Sequence, residues 1–391
     1  MGINFYKGVI TINSGFRVYS MPSQSLPLGP TIYLSLTSGI DLTINNSYPT
    51  NSTLIINNGI TASSYLSAIN FNGLQNATVN LTGITLDGVN GTHLYNIMTF
   101  YSCSNVTVYS GSTKQCGYRQ MVFDTRNVNV QIVSHSFLDN AEPARLYNPL
   151  AWDGTDSSVS ILNCGFSGCY FSSSAIADIG NYVDNTQNPP ISGMVKNFTV
   201  DQCYIYGGNI GTALRTQPGW NTVVSNNFIS GTNQTLTSDE RIFWSIGTMQ
   251  FINNTAKAYG DGHIACVWSV SYGTSSIQTS SFNDNYMSHS IIYSAFEFQE
   301  FANRLVTGSV QTTYADLYMN RNTAVYLNTS NNNWGPAIID IYPNVIGGHT
   351  YMYYNTGSNW INTNSGPYPP ANTYWNPQLV APTSHSNNIY I

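Results

Sequence analysis

The chain has 391 residues, of which only 8% are charged, against about 25% in an average soluble protein. Four Lys and four Glu exclude a protein stabilised by Lys–Glu ion-pair networks, and a net charge of −6 with no basic cluster excludes nucleic acid as partner. Disorder is excluded by 28 Tyr, 16 Phe and 7 Trp, because so much apolar area drives a chain to bury it.

What replaces charge is uncharged polarity: 48 Asn, 44 Ser and 38 Thr. Such a surface changes its charge little as pH falls, a property suited to an acidic exterior. From Met1 to Lys7 there is no apolar run of signal-peptide length, and no run long enough for a transmembrane helix follows. The expectation is a chain without a membrane span that reaches the exterior with its signal removed or inside an assembling particle. The six cysteines (Cys103, Cys116, Cys164, Cys169, Cys203 and Cys266) match no zinc spacing and are expected to be structural thiols or one or two disulfides, with no metal and no cofactor.

Along the chain one phrase recurs: a few alternating apolar residues, a polar step, then a second short strand. It starts at Ala77, Val106, Val128, Val159, Phe198, Thr222, Met249, Ile277 and Asp316, mostly 22 to 39 residues apart. No window carries the three-and-four spacing of an amphipathic helix. Period-two strands repeated at this interval predict a parallel β-helix, in which alternate side chains of successive coils fill one continuous core. The expected organisation is an N-terminal cap with the first strands over 1–60, coils over 61–330, and an aromatic, Pro-rich cap over 331–391, in which Trp334, Trp360 and Trp375 pack.

Aligning the phrases places Asn163, Gln202, Asn226, Asn253, Ser281 and Asn320 in one column just after the strand, where stacked amides are expected to bond from coil to coil. The next column holds Cys164, Cys203, Asn227 and Asn254. Its two cysteines are expected one strand spacing apart, about 4.8 Å.

The segment Leu74–Gly88, the run Asn331-Asn-Asn-Trp-Gly-Pro336 and the closing Trp375-Asn-Pro-Gln-Leu379 resemble repeats and terminal segments of the right-handed parallel β-helix, pectin-lyase-like superfamily, which includes carbohydrate-active enzymes, NosD-type repeat proteins and viral tailspikes. The resemblance covers about residues 20–380. It implies an all-β, single-stranded right-handed parallel β-helix with terminal caps and, by likeness to tailspikes, a homotrimer. It does not imply one activity, because the fold hosts many.

Polysaccharide cleavage needs paired carboxylates, or a base beside a cation. The candidates are Arg145, Asp153, Asp156, Asp178, Asp184, Arg215, Asp239–Arg241, Asp261, His263, Glu297 and Glu300. Trp152-Asp-Gly-Thr-Asp156 and Asp261-Gly-His263 distantly resemble two polygalacturonase motifs, which would make Asp153, Asp156, Asp261 and His263 catalytic. The paired Asp-Asp of that family is absent, with Ser172-Ser-Ser174 in its place.

A second alignment puts Asp178, Arg215, Trp244, Tyr293 and Tyr326 in one column. Facing outward, these residues form a stripe suited to sugar rings. Facing inward, they are core and a buried ion pair. The resulting expectation is an extracellular or virion-surface protein, structural and adhesive, that contacts glycan and possible neighbouring virion proteins. A polysaccharide lyase or glycoside hydrolase is the alternative, and a shell component without ligand the third reading.

Overall fold

The short alternating segments form strands because each buries one face and exposes the other. In Val128–Val133, Val130 and Ile132 are buried while Val128, Asn129, Gln131 and Val133 lie at or near the surface. The computed structural model describes residues 2–5, 8–13, 32–36, 40–45, 52–55, 67–72, 75–82, 84–87, 96–101, 103–114, 119–124, 128–138, 150–153, 158–167, 177–179, 196–206, 220–230, 236–269, 278–291, 296–300, 315–326, 339–341, 349–358 and 383–390. Among them there is no helix, and none therefore long and apolar enough to cross a membrane.

The chain divides into two compact units, Met1–Gly180 with Gln202–Gly208, and Asn181–Asp201 with Asn209–Ile391. In the first, seven strands (Gly2–Phe5, Ile32–Leu36, Ser67–Asn72, Asn96–Tyr101, Arg119–Asp124, Leu150–Asp153 and Ala177–Ile179) form a parallel sheet in chain order. Two further rows of parallel strands accompany it. One runs through Gln75–Asn80, Ser104–Tyr109, Val128–Val133 and Val159–Leu162. The other runs through Ile84–Asp87, Ser112–Lys114, Ser136–Leu138, Gly165–Ser167 and Tyr204–Tyr206. The second unit repeats the scheme, with Gln278–Asn283, Ala315–Asn320, His349–Tyr353 and Ser384–Ser386 stacked in register. Parallel rows linked at every turn of the chain are consistent with a parallel β-solenoid. Strands also occur within 1–60 and 331–391 and pair with the rest.

Register turns sequence alternation into columns. Val79, Val108, Ile132 and Ile161 stack in the first unit, as do Leu86, Thr113, Phe137, Phe166 and Ile205. In the second, Val200, Val224, Phe251, Phe282, Met319 and Met352 do the same. Aromatic neighbours lie face to face, with ring centroids 4.6 Å apart for Phe100–Phe123 and 4.7 Å for Phe137–Phe166. Each such pair adds about 0.5–1.5 kcal/mol beyond its buried area.

Between consecutive strands the chain bends at a left-handed residue: Ser110 (followed by Gly111, also left-handed), Ser134, Asn163 and Gln202 in the first unit, Asn226, Asn253, Asp284, Arg321, Tyr354 and Asn387 in the second. The expected amide column is thus corrected at two places. Asp284 and Arg321, not Ser281 and Asn320, occupy the bend, and Ser281 and Asn320 sit within strands. Amide stacking does occur in this column, where Asn253 Nδ2 donates to Asn226 Oδ1 at 2.7 Å.

The larger ladder lies one residue further on, and it is buried except at its last member, Asn388, which is half-buried. Asn227, Asn254, Asn285, Asn322, Asn355 and Asn388 follow the six bends, and each donates from Nδ2 to a backbone carbonyl of the preceding repeat: Val200, Val224, Phe251, Phe282, Met319 and Met352. Each of the first five also donates through both its backbone N–H and Nδ2 to Oδ1 of the next asparagine, at 2.8–3.2 Å. Asn254, Asn285, Asn322 and Asn355 therefore use both amide protons and both oxygen lone pairs, which is what lets a buried amide be tolerated. In the first unit the same place is taken by Gly111, His135, Cys164 and Cys203. The thiols copy the asparagine bond, Cys164 Sγ to Ile132 O and Cys203 Sγ to Ile161 O, both at 3.4 Å.

Candidate functional surface

Five strands of the second unit present a continuous outward face. On it, the column Gln250, Ser281, Tyr318, Tyr351, Ser384 alternates with the buried column that contains Phe282, Met319 and Met352. Tyr318 and Tyr351 are register partners, and their rings stack with centroids 4.8 Å apart and planes 13° from parallel. One column over, Asp316 accepts from both the backbone N–H and Nδ1 of His349 at 3.1 Å. On the other side, Tyr353 donates from its hydroxyl to Ser384 Oγ at 2.9 Å.

The bend beside this face carries Arg321, which holds Asp284 through two bonds of 2.6 and 2.7 Å, and Tyr354, which is 59% exposed. The guanidinium holds the Asp284 carboxyl below the usual carboxylate range, chiefly by hydrogen bonding, with burial opposing and charge assisting. The Tyr351 phenol is pushed up by partial desolvation, then by the Asp316 carboxylate and the neighbouring phenols of Tyr318 and Tyr353. It therefore stays a neutral hydroxyl, able both to donate and to accept.

This arrangement suits binding better than cleavage. Parallel phenol rings offer flat apolar faces, and hydroxyl, carboxylate and imidazole groups surround them. Both carboxylates here are already engaged, Asp316 with His349 and Asp284 with Arg321. The signal that marks the face in the sequence is the pair of alternating runs Asp316-Leu-Tyr-Met-Asn320 and His349-Thr-Tyr-Met-Tyr353. The second lies beyond the expected last coil, so its alignment with the first goes unnoticed in the sequence.

The residues proposed from sequence are placed by backbone register. Asp153 ends its strand opposite Asp124, and Asp156 lies outside the described residues. In the long strand Thr255–Ser269, Gly262 is opposite Glu240 and His263 opposite Arg241, so the segments Asp239–Arg241 and Asp261–His263 are adjacent. The register shifts between Leu236 and Glu240, an irregularity of the kind that bends a strand. Among the described residues no His, Cys, Asp and Glu cluster able to hold a metal is present.

For the second alignment, Asp178 is opposite Ala151, while Arg215 and Tyr293 lie outside the described residues. Trp244 is opposite Cys266, as aligned, but the column continues to Glu297 and Asp340. Tyr326 is opposite His289 in a different row of strands, so it does not continue the column of Trp244. Comparison with protein-family models finds no match, and comparison with curated proteins finds none either.

Proposed function

We propose that this chain is a right-handed parallel β-helix of the pectin-lyase-like type that serves as an exterior structural and attachment protein, at a virion or cell surface, contacting glycan. The observation that carries the reading is the stacked Tyr318–Tyr351 pair beside the Asp316–His349 bond on an outward sheet face. Two parallel strands hold these groups at a fixed spacing, so sugar rings would meet a rigid platform with little ordering cost. The uncharged, Asn-, Ser- and Thr-rich composition supports an exposed life at variable pH. Glycan retention on an array, weakened about tenfold by Tyr318→Ala or Tyr351→Ala, is the expected result; a tenfold loss corresponds to about 1.4 kcal/mol. Retention on no glycan would leave a shell component without ligand.

A lyase or hydrolase is the second reading, favoured by the strand irregularity that sets Asp239–Arg241 beside Asp261 and His263. Release of reducing or unsaturated sugar from acidic or neutral polysaccharides, abolished by Asp153→Asn or Asp261→Asn, would replace the attachment reading with this one.

A further inference from the structure

Inside the first unit a polar chain crosses the apolar core. His135 Nδ1 lies 2.7 Å from the carbonyl oxygen of Ser110, and its Nε2 lies 3.0 Å from Thr113 Oγ1. Thr113 Oγ1 donates to Gln120 Oε1 at 2.6 Å, and Gln120 Nε2 donates to the carbonyl of Leu138 at 2.9 Å. His135, Thr113 and Gln120 are all fully buried. Thr113 replaces the apolar residue of a column otherwise made of Leu86, Phe137, Phe166 and Ile205.

Four contacts need four protons. A neutral imidazole supplies one, the threonine hydroxyl one, and the amide one in its contact with Leu138. If Nδ1 carries the ring proton, Nε2 faces an oxygen whose proton is already given to Gln120. If Nε2 carries it, Nδ1 faces the Ser110 carbonyl with no proton between. Turning the Gln120 amide over only moves the mismatch to Leu138. Every neutral arrangement leaves one acceptor against another, and burial of an unmade bond costs about 1–3 kcal/mol.

We propose that His135, with Ser110, Thr113 and Gln120, is a proton-binding site in the core of the first unit, whose polar chain is complete only when the ring is an imidazolium. Loss of water opposes this: burial drives the ring down to about 4, against the Ser110 bond. The strands packed around it bring few other ionisable groups. Tyr109 is exposed and Lys114 half-buried, at positions alternating with the buried ones, Asp87 is opposite Lys114 in the preceding repeat, Cys164 follows in the next repeat, and Arg119 and Asp124 lie at the two ends of the strand that holds Gln120. The ring meets Phe137 edge-on, with centroids 4.8 Å apart.

The consequence is a loss of stability in acid that the polar chain limits. A ring whose folded midpoint lies below 6.5 stabilises the fold fully above 6.5 and loses that contribution as pH falls towards the folded midpoint, because the unfolded chain takes the proton first. Each pH unit by which the polar chain lifts the midpoint removes a factor of ten from that loss.

Histidine-selective nitrogen NMR on the whole chain tests the site, with backbone amide protection read in parallel to report folding. Both ring nitrogens of His135 are expected to become protonated, with a midpoint above about 4, while the fold persists. Thr113→Val, nearly equal in volume, removes the acceptor for Nε2 and is expected to lower the midpoint by at least one pH unit, a tenfold loss of proton affinity. His135→Asn installs the residue that the second unit uses at this place and should delete the titrating signal from a folded chain. A ring that stays neutral until the chain unfolds, or an unchanged midpoint in Thr113→Val, would overturn the proposal.

Discussion

Asn285 Oδ1 accepts two bonds from Asn254, 2.9 Å from its backbone N–H and 3.1 Å from its Nδ2, although the two residues are 31 positions apart. Asn285 Nδ2 in turn reaches Phe251 O at 2.8 Å and Asn322 Oδ1 at 2.9 Å. One buried amide thus closes a bend, ties it to the preceding strand and holds both neighbouring asparagines.

Truncation would measure what that is worth. Asn285→Ala strands two donors of Asn254 and the Phe251 carbonyl, and each buried group left unmade costs about 1–3 kcal/mol. A loss of about 3 kcal/mol or more is expected in chemical denaturation. Asn253→Ala, at the exposed bend one residue before Asn254, should cost under about 1 kcal/mol. Equal losses would mean that the bend itself, not the buried ladder, sets the stability.

The strand rows and alternating core were legible in the sequence because period-two burial leaves a direct mark, as in Val106-Thr-Val and Phe198-Thr-Val. The bends were less so. A left-handed residue favours Asn and Asp, yet Arg321, Tyr354 and Gln202 also occupy bends, so polarity alone did not locate Asp284 or Arg321. The better marker is the Asn that follows, present at Asn285, Asn322, Asn355 and Asn388. The tyrosine face was missed for a related reason: Tyr318 and Tyr351 meet only through register, which a strand by itself does not encode.

Cys164 and Cys203 stand where the second unit has asparagine, and their thiols donate to carbonyls within the core. With Cys103 they are buried thiols, inaccessible to reagent while the fold persists. Alkylation mapped by mass spectrometry should therefore modify these three only at the rate of unfolding, rising together with denaturant. Labelling of Cys164 under native conditions ahead of unfolding would show that its bend opens locally.

Tyr354 adopts φ 58° with its side chain exposed. A left-handed conformation costs a β-carbon residue about 1 kcal/mol, and Asn tolerates it better. Tyr354→Asn should raise stability by about 0.5–1 kcal/mol, read as a higher melting temperature. If the same change also weakens glycan retention, the strain is kept for the phenol's contact. If retention is unchanged, the binding face ends at Tyr353.

The Asp284–Arg321 pair gives a pH signature of definite sign. The Asp284 carboxyl is held below its ordinary 3.8, first by the Arg321 hydrogen bond, so its contribution is complete above 3.8 and fades as pH falls through the lower folded value. Both partners are well exposed, 59% for Arg321 and 40% for Asp284, which confines the pair to the fraction of a kcal/mol typical of surface bridges. Asp284→Asn should therefore leave stability at pH 7 nearly unchanged and flatten its decline only below pH 4. Salt should erase the small difference at pH 7. A loss well beyond 1 kcal/mol at neutral pH would instead assign Asp284 a part in the bend, where its left-handed backbone, φ 59°, precedes the buried Asn285.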